Sequence, residues 1–127
     1  NLSARAFVGT GDNVFIAGFV IAGNQPKTVL LRAVGPGLTA YGLSGVLAQP
    51  SLTLFDVAGT KVAENAGWAS DPAIAAASAR AGAFALMPGS NDAALLITLA
   101  PGTYTAQVRG AAGGTGIALI EVYDADL

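Results

Sequence analysis

Apolar residues alternate with polar or small ones along most of the chain, and turn residues break the alternation at short intervals. Such period-two alternation places successive side chains on opposite faces of a strand. Read this way, residues 2–8 form a first strand, and Gly9-Thr10-Gly11-Asp12-Asn13 turns the chain. Residues 14–21 are almost wholly apolar, which predicts a strand covered on both faces. Gly23-Asn24-Gln25-Pro26 leads into a strand over 27–34, which Gly35-Pro36-Gly37 ends. The stretch to Pro50 reads as a loop with small apolar anchors, among them Leu38, Tyr41, Leu43 and Val46. Residues 51–56 and 60–64, joined at Ala58-Gly59, read as a hairpin. A short helix is expected near 72–81: Asp71 can cap it, Pro72 suits its first turn, and Gly82 stands where helices end. Further strands are expected over 95–99, 103–109 and 117–124. In the last of these, Ala118, Ile120 and Val122 form one face, and Ile117, Leu119, Glu121 and Tyr123 the other. About eight strands with one short helix predict an all-β antiparallel β-sandwich, jelly-roll-like, in a single domain over 1–127.

Composition adds a reason to expect company for this sandwich. The hydrophobic fraction is 53%, the charged fraction is 11%, and mean hydropathy is +0.57. A typical soluble domain carries about 25% charged residues. No run approaches the roughly 18 apolar residues of a membrane-spanning helix, so no transmembrane segment is expected. Fourteen charged side chains cover a folded surface of roughly 6,000 Å² thinly. Large contiguous apolar patches mark contact sites, which makes copies of the same chain the expected partner. Net charge is −2 with no basic stripe, which removes the electrostatic footing for nucleic acid or an anionic membrane. The chain has no histidine and no cysteine, so the commonest general base and every thiolate site are missing. It opens at Asn1 with no signal-peptide pattern, as a mature or excised chain would.

Candidate chemistry is sparse. Asp12, Asp56, Asp92, Asp124 and Asp126 fall in or beside turns, where Asp side chains bond nearby backbone. A structural calcium ion needs six to eight oxygen ligands, and no D-x-D-x-D-G loop is present. No cofactor is expected. Glycosidase chemistry needs two placed carboxylates, and Glu64 and Glu121 are the only glutamates. A serine nucleophile has neither a histidine nor an S-x-x-K lysine. No catalytic residue and no enzymatic activity are therefore expected. Trp68 is the sole tryptophan; exposed, it would be a glycan-stacking platform, and buried, a plug between helix and sheet. The terminal strands supply the self-association candidates: Leu2, Ala4 and Phe7 in the first, Ile117, Leu119 and Tyr123 in the last. An unpaired strand edge templates another chain, unless the two strands pair within one molecule.

Several blocks carry a resemblance. Residues 1–13, Ile16-Ala17-Gly18-Phe19, residues 29–36, residues 99–105 and Glu121-Val122-Tyr123-Asp124 together resemble a β-rich domain. That domain recurs in large exported proteins of environmental bacteria, often near their C-termini and beside immunoglobulin-like modules. The C-terminal hairpin also resembles bacterial pre-peptidase jelly-roll domains. The resemblance implies a secreted or cell-surface module without catalytic residues. The combined expectation is a structural subunit of an extracellular filament or surface assembly. The alternative is a carbohydrate-binding or adhesive module of a secreted protein.

Overall fold

Alternating segments become strands almost where the pattern puts them. The computed structural model describes residues 1–126. Its strands are β1 (Leu2–Val8), β2 (Phe15–Ile21), β3 (Lys27–Val34), β4 (Pro50–Asp56), β5 (Lys61–Asn65), β6 (Ala93–Leu99), β7 (Gly102–Gly110) and β8 (Gly116–Asp124). They form two four-stranded antiparallel sheets, one ordered β1-β8-β3-β6 and the other β2-β7-β4-β5. The chain crosses between sheets at every step except the β4–β5 hairpin, which is the jelly-roll path. The total accessible surface is 6159 Å², close to what the mass implies.

Local chemistry sets the connections. Asp56 Oδ1 accepts from the amides of Ala58 (3.0 Å) and Thr60 (2.9 Å), which closes the β4–β5 turn. Gly59 sits there at φ +80°, a conformation that a side chain would strain. The one α-helix among the described residues, α1 (Pro72–Ala81), starts at Asp71, whose carboxylate accepts from the Ala73 amide at 2.8 Å. It stops at Gly82 in the left-handed region. A 3-10 helix over Pro36–Tyr41 occupies part of the stretch read as a loop.

Two apolar clusters hold the layers. The first fills the space between the sheets with the inward residues Val29, Leu31, Leu52, Leu54, Val108, Ile120 and their neighbours. The second lies on the outer face of the β1-β8-β3-β6 sheet, where Leu38, Trp68, Ile74, Ala77 and Leu86 cover Leu30 and Val34. The strand buried on both faces is therefore β3, in the centre of a covered sheet. The expectation that 14–21 is doubly covered is overturned. β2 is an edge strand, and its outward residues Ile16 and Val20 stand 55% and 66% exposed. An apolar run reports that water is unwelcome, but not whether the cover comes from the same molecule.

Candidate functional site

The terminal strands meet each other. β1 pairs with β8 in one register from Leu2–Val122 to Val8–Gly116. β8 also pairs with β3, so it lies inside its sheet and has no free edge. Its nomination as a contact strand is corrected on that ground: both sides of its backbone ladder are in use. The outward residues Ile117, Leu119 and Tyr123 pack against the second apolar cluster. Ile117 is pinned further, because its carbonyl accepts from Leu47 N (2.8 Å) and its amide donates to Gly45 O (2.9 Å). In β1, Leu2 and Ala4 share the inner face with Val122 and Ile120, whereas Phe7 points outward and is 66% exposed.

Trp68 is 4% exposed and cannot present a face to a sugar. The chain runs alongside β6 here, with Trp68 N donating to Asp92 O at 2.9 Å. The indole Nε1 donates to Ser90 Oγ (3.1 Å), and that hydroxyl donates to Asp92 Oδ2 (2.8 Å). Asp92 Oδ1 in turn accepts from the amides of Gly35 (2.9 Å) and Gly37 (3.1 Å). A buried carboxylate thus clamps the turn after β3 and ties it to the tryptophan. The glycan platform read at Trp68 is corrected accordingly: the ring is the plug.

A second buried polar group went unread in the sequence. Arg32 on β3 is fully buried, and its Nε donates to Glu121 Oε1 at 2.9 Å. Nη1 donates to Phe84 O (2.6 Å) and to Ser78 Oγ (3.3 Å), and the guanidinium lies 4.5 Å from the Phe84 ring centroid. Tyr123 Oη donates to the other oxygen of Glu121. Arg32 and Glu121 sit opposite each other in the β3–β8 register, on the outer face. The network stitches that sheet to the layer above it, with Arg32 Nη2 left without a hydrogen-bond partner among the described residues.

Burial, and then the hydrogen bond to Glu121, push the Tyr123 phenol up to about 12 from an ordinary value of 10.0. The folded chain thus holds this proton at a pH where the unfolded chain releases it. Stability from the phenol is complete below the ordinary value and is lost as pH rises through the folded one. Urea midpoints measured between about pH 9 and pH 12 should fall, and Tyr123→Phe should flatten the fall. The Asp124 carboxylate raises the Lys27 ammonium by hydrogen bonding and charge over the same alkaline range, so the difference from wild type isolates the phenol.

What remains open to a partner lies elsewhere. Among the described residues no three acidic side chains gather into a metal site. Asp56, Asp71, Asp92, Asp124 and Asp126 all bond backbone amides or Lys27. On the outer face a shallow apolar groove of about 440 Å³ runs between Arg5 and the Tyr41–Phe84 pair, over Leu38, Leu43 and Leu119. At one flank the edge strands β1 and β2 lie side by side, and the sandwich core reaches the surface there through Phe15, Ala17 and Phe19. A cleft of about 260 Å³ enters the same flank between Leu2, Phe19 and Val122. Val20 lines that cleft, Ile16 is exposed further along β2, and Phe7 is exposed on the outer face of β1, so this flank is the candidate functional surface.

Comparison with known proteins supports the fold. No family model and no curated protein matches the chain. Among solved structures it is similar to the pre-peptidase C-terminal domain of a collagenase from Bacillus anthracis. The two share 14% sequence identity at a TM-score of 0.58, over 96% of this chain and 88% of that one. This likeness is one of architecture: an all-β sandwich, as the alternation predicts. No helix among the described residues is long and apolar enough to cross a membrane.

Proposed function

We propose that this chain is a non-catalytic building block of an extracellular filament or surface assembly, and that its apolar β1/β2 flank is one of the contacts through which it self-associates. One observation carries the reading: Ile16 and Val20 stand 55% and 66% exposed on the outer face of the edge strand β2, and Phe7 stands 66% exposed on the outer face of β1, the edge strand of the other sheet. Removing apolar surface of this kind from water favours association by about 25 cal/mol per Å² before the cost of immobilisation. The scarcity of charge elsewhere supports the same reading, because little electrostatic repulsion keeps copies apart. Glycan binding loses its main support with the burial of Trp68. Sedimentation velocity and negative-stain microscopy of the purified chain over a concentration series test the proposal. Concentration-dependent association into dimers or larger species is the expected result, and a dispersed monomer at every concentration overturns it.

A further inference from the structure

The four sheet edges are not protected alike. β5 is short, carries Lys61 and Glu64, and breaks register against β4 between Leu54 and Phe55. β6 is overlaid at its start, where Asn65 Oδ1 accepts from Ala94 N at 3.0 Å and Trp68 N reaches Asp92 O. β1 has Arg5 at its centre, on the exposed outer face. Charge, bulges, short length and overlying chain are the devices that keep strand edges from joining. β2 has none of them. It is seven residues long, pairs on one side only, and no charged residue occurs anywhere from position 13 to 26.

We infer that β2 is a homotypic seam: two copies of this chain join β2 to β2 antiparallel about a dyad at Gly18. This rests on the self-association reading and names its contact. The sequence Phe15-Ile16-Ala17-Gly18-Phe19-Val20-Ile21 is self-complementary in that register. On the inner face Phe19 meets the partner copy's small Ala17, and Phe15 meets Ile21. On the outer face Ile16 meets Val20, so the exposed pair on each copy is covered by the same pair on the other. Such a contact is isologous and places no like charges opposite each other. Centring β1 on itself would instead set arginine against arginine at position 5.

The size fits a reversible contact. A seven-residue strand is about 24 Å long, and with sheets about 10 Å apart plus side chains the flank covers roughly 500 Å² per copy. Two copies then bury about 1,000 Å², the floor for a specific interface. The joined sheet would run β5-β4-β7-β2 into its symmetry mate without interruption.

The test uses paired charges on the exposed outer face, where lysine or glutamate has room. Ile16→Lys with Val20→Lys sets lysines against lysines across the seam, and should weaken association by about 100-fold or more. Ile16→Lys with Val20→Glu sets opposite charges against each other in the same register and should restore association. Val62→Lys on β5 should leave it unchanged. Circular dichroism and melting confirm that each variant is folded, and sedimentation velocity reads the dissociation constant. Association unaffected by the double lysine variant overturns the seam while leaving the self-association reading intact. Association lost in both double variants overturns the register about Gly18. A wild-type chain that stays monomeric overturns both.

Discussion

Arg32→Ala will cost the fold about 3–5 kcal/mol, read as a large drop in the urea midpoint. The substitution removes a fully buried guanidinium and leaves Glu121 buried with only the Tyr123 hydroxyl against it. It also frees the Phe84 carbonyl and Ser78, which fasten the helix-bearing layer onto the sheet. A buried charge that loses its partner keeps the full cost of its desolvation. Replacing both partners, Arg32→Met with Glu121→Leu, should therefore cost far less than the single change, because no charge is stranded. Equal losses for the single and double variants would show that shape alone, and not the ion pair, holds the layers together.

Asp92→Ala will cost about 3 kcal/mol, because the buried amide of Gly35, the half-buried amide of Gly37 and the Ser90 hydroxyl lose their acceptor at once. Asp92→Asn keeps one carbonyl oxygen in place and should recover a good part of the loss. The same turn explains why Gly35 is glycine. A Cβ there would stand 2.0 Å from the Leu47 carbonyl oxygen, so Gly35→Ala should unsettle the segment that packs on β8. Thermal unfolding of the three variants ranks these effects.

The strands and the helix were legible because their signals are local. Alternation marks β4, β7 and β8, and Asp71, Pro72 and Gly82 bracket α1 within their own few residues. Which faces are covered was less legible. Ile117 and Leu119 look like Ile16 and Val20 in sequence, yet the first pair lies under residues 45–47 and the groove wall, and the second pair lies bare. That difference arises from packing between segments distant in the chain, which no window of sequence contains. The Arg32–Glu121 pair was hidden for the same reason, since its members are 89 positions apart. A lone arginine within Leu30-Leu31-Arg32-Ala33 was a usable signal: a charge inside an apolar strand needs a partner. The edge status of β2 follows from the jelly-roll path alone, once that path is known.

The flank where β1 and β2 run together occurs once per molecule, while the opposite margin is charged, broken in register and overlaid. Adhesion confined to that flank gives the protein a valence of one. A dyad consumes it, and the product is a capped pair with nothing left to grow from. Any longer thread must therefore recruit a chemically different surface, and the two steps would answer separately to salt, temperature and concentration.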